Sequence, residues 1–184
     1  MPGRAKWATG LLCGLALAQA ARAEGPSEYE VKAAFLFNFS KFVDWPQTAF
    51  EEAGDPIVIC VLGVNPFGNL LAQSVQGKKV NGREVVAREL TSLSGVGRCH
   101  LLFIASSEQE KLEEILGRTA NRPILTVSDV ESVVDRGAII GLTMEEKRVR
   151  FEVNLVAARK AGLKLSSQLL KVAIRLIGQF EPGR

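Results

Sequence analysis

Apolar positions along this chain switch repeatedly between helical spacing and short continuous runs, and that alternation predicts an α/β architecture. Over residues 28–43, Val31, Phe35, Phe39 and Phe42 recur at spacings of four, four and three. Ser27 and Glu30 form a capping-box pattern in front of this helix. Trp45-Pro46 ends it, because the residue before a proline is pushed out of the α region. Leu36, Phe37 and Val43 fall outside the main stripe. Two readings follow: a helix buried over most of its surface, or one whose second face meets another chain.

Residues 57–62 (Ile-Val-Ile-Cys-Val-Leu) read as a strand covered on both sides, as in a parallel sheet. Residues 63–66 turn the chain into a helix over 67–75, and Asn81-Gly82 separates a short extended piece from a strand around 83–87. A second buried strand is predicted over 99–105, then a helix over 108–118 capped by Ser107. A short strand over 124–127 leads to a brief helix ending at Val134. Strands over 138–143 and 148–153 lie close enough for an antiparallel hairpin, and helices are predicted over 155–160 and 166–180. Leu169, Ala173, Leu176 and Phe180 form the apolar stripe of the last helix, with Lys171 and Arg175 facing elsewhere. The predicted fold class is α/β: one domain, a mostly parallel sheet flanked by helices, a late antiparallel hairpin and a C-terminal helix.

The first residues change the picture of compartment and charge. Arg4 and Lys6 precede a short apolar run over 8–18, and Ala21-Arg22-Ala23 supplies a small-x-small site. This is the pattern of a signal peptide over residues 1–23, cut before Glu24, with the domain over 24–184. The chain has 23 Lys+Arg and 20 Asp+Glu. Three of the bases, and none of the acids, lie in that leader, so the exported part is expected to be neutral. A general attraction to nucleic acid or anionic lipid is therefore not predicted.

Candidate chemistry is sparse. His100 is the single histidine, which rules out a two-histidine metal pair. Its neighbour Cys99 points to the opposite side of a strand, so a thiolate–imidazole pair is disfavoured. Residues 63–68 lack both the GxGxxG spacing and the P-loop lysine, and read first as a strand-to-helix turn. A small ligand at the carboxyl edge of the sheet stays open. No catalytic residue, metal or cofactor is predicted. Cys60 and Cys99 are the two cysteines beyond the leader, and in an oxidising compartment they read first as a structural disulfide, with two free core thiols as the other reading. Basic residues of the last third, Lys171 and Arg175 among them, suit solvated surface or a face for an acidic partner.

Two stretches carry a resemblance. Residues 29–46, with Tyr29, Phe35, Phe37, Phe39, Phe42 and Trp45-Pro46, and residues 151–155 followed by 157–170, resemble the opening and closing motifs of the YfiR-like periplasmic repressor family. The resemblance implies an exported, non-enzymatic α/β protein that forms a homodimer. It also implies a partner, the periplasmic domain of an inner-membrane diguanylate cyclase, whose restraint lowers cyclic di-GMP and biofilm formation. It matches Cys60 and Cys99 to the family's first disulfide; the second has no counterpart, since no cysteine follows Cys99. The expected partner or dimer surface comprises Phe35, Phe37, Phe39, Phe42 and Trp45, with Lys171 and Arg175 from the end of the chain. The rival reading is a periplasmic small-ligand module reporting to another membrane receptor, such as a histidine kinase.

Overall fold

The computed structural model describes residues 26–178; the expected leader, its cleavage point and Phe180 lie outside that range. Helix α1 (Glu28–Lys41) starts where the capping box predicts, with Ser27 and Glu30 each satisfying the other's backbone N–H. Strand β1 (Val43–Asp44) follows, then a 3₁₀ turn (Gln47–Ala49). Next come β2 (Ile57–Leu62), α2 (Leu70–Val75), β3 (Lys79–Val80) and β4 (Arg83–Leu90). The chain continues through β5 (Leu101–Ile104), α3 (Leu112–Thr119) and β6 (Leu125–Ser128). It then forms β7 (Ile140–Glu145), β8 (Arg148–Asn154), α4 (Leu155–Lys160), β9 (Lys164–Leu165), α5 (Ser167–Val172) and β10 (Arg175–Ile177).

Eight strands form one sheet in the order β10-β8-β7-β6-β5-β2-β4-β3. β4, β2, β5, β6 and β7 run parallel, while β8 returns antiparallel to β7. The β7–β8 hairpin turns on Glu146 and Lys147, both at positive φ, the requirement of a two-residue type I′ turn. Asn81-Gly82 joins β3 to β4 in the same way.

Strand side chains alternate between two apolar layers. Ile57, Ile59, Val61, Leu101 and Phe103 face α1 and α2, whereas Val58, Cys60, Leu62, Leu102 and Ile104 face α3. Covering both faces explains the unbroken apolar runs of β2 and β5, every residue of which is buried.

Three expectations need correction. The last helix stops at Val172: Ala173 is extended, and residues 175–177 pair in parallel with β8. The chain from Glu131 to Gly137 is a series of turns, with Ser132 at positive φ, rather than a helix. Ser107 does not cap α3; its hydroxyl accepts from the Val64 N–H, and a 3₁₀ segment (Ser106–Lys111) precedes the helix. On α1 the expected stripe does meet the core, with Phe39 buried and Val31, Phe35 and Phe42 partly covered against it. Ala33, Leu36 and Phe37, outside the stripe, are buried as well, in line with the first of the two readings of this helix.

Candidate functional site

The two motif segments, remote in sequence, meet in the fold. Phe35 and Phe39 of α1 pack on Phe151 of β8, with ring centroids 5.7 and 5.1 Å apart. Beyond α1 the chain enters an antiparallel ribbon in which Val43 pairs with Leu165 and Asp44 with Lys164. The Ser166 N–H donates to the Phe42 carbonyl at 2.9 Å, continuing that junction. Sequence reasoning missed this ribbon because two residues per strand leave no periodic signal. It gathers Phe42, Asp44, Trp45, Lys164 and Leu165 beside α5, and Asp44 and Lys164 are exposed.

The expected surface residues separate into three groups. Phe37 and Phe39 are core residues, 7% and 1% exposed, and neither is available to a partner. The Phe37 ring is covered by Lys41 and Lys78, whose ammonium groups lie 4.3 and 4.5 Å from its centroid. Phe35, Phe42 and Trp45 are partly covered, and Lys171 is exposed on α5. Arg175 stands apart on β10, where its guanidinium is engaged by two carboxylates. Nε and Nη2 donate to Glu152 at 2.8 and 2.9 Å, and Nη1 and Nη2 donate to Asp135 at 2.9 and 2.7 Å. That bidentate contact holds the Asp135 carboxyl below the usual carboxylate pKa and raises that of Arg175. The positive charge of Arg175 is thus spent within the chain rather than offered to an acidic partner.

A second polar cluster lies beyond the carboxyl end of β6. Lys32, 3% exposed, reaches Asp129 Oδ2 at 2.5 Å and Glu28 at the same distance, and the Tyr29 hydroxyl donates to Asp129 at 3.2 Å. Burial opposes the Lys32 charge, but hydrogen bonds to Asp129 and Glu28 outweigh it, and the net effect raises the lysine pKa. Burial, together with the Asp129 carboxylate, raises that of Tyr29. Glu28, Lys32 and Asp129 border a groove of about 470 Å³ that Glu131, Glu152 and Arg175 also line.

Cys60 and Cys99 form a disulfide with Cα atoms 5.8 Å apart, tying β2 to the approach of β5 inside the layer facing α3. This agrees with the first reading of those cysteines. His100 is 6% exposed, and its Nδ1 accepts the Val58 N–H at 3.1 Å. Among the described residues no group of three or more His, Cys, Asp and Glu is placed to hold a metal ion. Among them too, no helix is long and apolar enough to cross a membrane.

A sheet covered by helices on both faces, closed by a disulfide and bearing an ordered two-strand ribbon on one side, defines an α/β module whose most distinctive feature is a surface junction. The chain belongs to the YfiR/HmsC-like family, the domain designated DUF4154, whose model matches residues 29–174. That family is regulatory and periplasmic. A crystal structure of a conserved domain protein from Vibrio cholerae O1 biovar El Tor strain N16961 has a similar fold, with a TM-score of 0.57 and 14% identity. The alignment covers 82% of this chain and 60% of that one, so this chain spans about three-fifths of the length of that protein. At such identity the likeness concerns the fold alone.

Proposed function

We propose that this chain is a periplasmic repressor that restrains an inner-membrane diguanylate cyclase by binding its periplasmic domain. It is exported with its leader cut before Glu24, acts as a homodimer, and lowers cyclic di-GMP and biofilm formation. The observation that carries the reading is the junction of the two family motifs. Within residues 29–46 and 151–170, the β1–β9 ribbon joins Val43 and Asp44 to Leu165 and Lys164 beyond the end of α1, and Phe39 packs on Phe151 in the core. Partly exposed Phe42 and Trp45 supply aromatic contact area, and Asp44, Lys164 and Lys171 supply a charged rim. This narrows the expected surface: Phe37 and Phe39 support it from inside, and Arg175 is not part of it.

Deleting the gene in its native bacterium tests the reading. Cyclic di-GMP is expected to rise several-fold and to fall again when the full chain is resupplied, but not when the resupplied chain lacks residues 1–23. Unchanged cyclic di-GMP in the deletion strain would overturn it. The groove of about 470 Å³ favours a second reading, a small-ligand module reporting to another receptor, because ligands of α/β folds gather at the carboxyl ends of strands. A saturable thermal shift with amino acids or nucleotides, without any effect on cyclic di-GMP, would put that reading in place of the first.

A further inference from the structure

We infer that residues 45–56, between β1 and β2, form an acid-released flap closed over His100. The flap packs on the core through Trp45 and Phe50. Its ring and polar contacts to the rest of the chain centre on two residues, His100 and Arg83. Phe50 stacks on the imidazole at 4.5 Å with the planes 26° apart. The Trp45 ring stands edge-on to it at 6.0 Å, and its Nε1–H donates to the His100 carbonyl at 3.2 Å. On the other side of Phe50 the Arg83 guanidinium lies 3.7 Å from the ring centre, and Nη1 donates to the Asp55 and Glu52 carbonyls at 2.7 and 3.3 Å. The tip of the flap, residues 51–54, is exposed.

The closed state accepts only a neutral imidazole. Because Nδ1 accepts the Val58 N–H, the neutral ring carries its hydrogen on Nε2, and a proton from solvent has to add at Nδ1. That places donor against donor at the start of β2, inside a buried site. Nε2 is itself buried and has no partner of full hydrogen-bond geometry, although the Ala49 backbone lies close enough to favour the charged ring. The charged groups facing the ring are Arg83 from β4, which repels an imidazolium, and Asp55 from the flap, which attracts one. The Asp55 carboxylate already accepts the Glu51 and Glu52 N–H groups at 2.9 and 2.7 Å. Burial decides the balance and lowers the His100 pKa. An acidified ring therefore has to leave the site, and leaving it parts Phe50 and Trp45 from their platform.

The sign follows. A histidine whose pKa is lower in the closed state supports closure fully above its ordinary value of about 6.5, and that support is lost as pH falls through the lower value. Between the two, the open fraction rises up to tenfold per pH unit, the dependence of one proton. The test uses the full untagged chain, in which ¹⁵N-labelled histidine gives signals from one residue. Ring resonances should show an unprotonated Nδ1 at neutral pH and titration below about 6.5. Backbone exchange of residues 45–56, corrected for its intrinsic pH dependence, should accelerate over the same range. His100→Asn keeps an acceptor for the Val58 N–H without a titrating group, and its flap should not respond to pH. Phe50→Leu removes the stacked ring without touching the histidine, and should return the titration toward the ordinary value. Titration of wild-type His100 at or above the ordinary value overturns the inference. So does an equal pH response in His100→Asn, or an unchanged titration in Phe50→Leu.

Discussion

Lys32→Met should destabilise the protein by about 3 kcal/mol, at the lower end of the roughly 3–5 kcal/mol that follows when one partner of a buried ion pair is removed. Two carboxylates surround the ammonium, and their exposures decide which matters. Glu28 is 41% exposed and pairs as an i,i+4 neighbour, an arrangement worth about 0.3–0.5 kcal/mol. Asp129 is 10% exposed, so the substitution leaves a nearly dry carboxylate with the Tyr29 hydroxyl as its remaining side-chain partner. The penalty comes mostly from that stranded charge and not from the lost attraction. Urea unfolding reads it directly: with a slope of about 2 kcal/mol/M, the midpoint should fall by roughly 1.5 M with the slope unchanged. The double substitution Lys32→Met with Asp129→Leu removes the stranded charge and should recover at least half of the loss. A single variant within about 0.5 kcal/mol of wild type, or a double variant less stable than the single one, would refute the reasoning.

Replacing Cys60 and Cys99 by alanine opens a loop whose ends are 39 residues apart, and should cost about 4 kcal/mol in the chain-entropy model. Reductant should lower the wild-type urea midpoint to a similar extent and leave the variant unmoved. Phe37→Asp places a carboxylate in the core and should abolish the folding transition, or lower stability by more than about 3 kcal/mol, as circular dichroism during urea titration would show. Asp44→Lys, on the exposed ribbon, should stay within about 0.5 kcal/mol of wild type in the same assay. Lys32 and Tyr29 both have raised pKa values, so each favours the folded state in its protonated form. Their contribution is full below the unfolded values of about 10.4 and 10, and is lost as pH rises through the folded ones. The stability gap between wild type and Lys32→Met should therefore narrow in alkaline urea titrations above about pH 10.5.

Much of the fold was legible because β2 and β5 are covered on both faces, so their apolar runs need no tertiary information to read. The capping box at Ser27 and the Asn81-Gly82 turn are similarly local. The end of the chain was misread for a physical reason. Leu169 and Leu176 both pack into the layer facing α1, as a helical stripe would have them do. Leu169 is helical, but beyond Val172 the backbone is set by pairing instead: the Ile174 N–H donates to the Phe151 carbonyl, and Arg175 is drawn to Glu152 and Asp135. Neither carboxylate is local to it, so helix periodicity fitted the side chains while long-range contacts chose a strand. The aromatic run of α1 is a parallel case. It advertised a surface, but its period does not say which ring faces inward, and the structure turns Phe37 and Phe39 to the core. The β1–β9 ribbon, which organises the proposed surface, left no pattern at all.

The most direct test of the central claim is crosslinked capture from membranes with the full chain as bait and with its Asp44→Lys variant, followed by mass spectrometry of the captured proteins. The account predicts capture of a diguanylate cyclase through its periplasmic domain by the wild-type chain, and capture reduced several-fold by Asp44→Lys. Capture of a kinase or another receptor in place of a cyclase would contradict it.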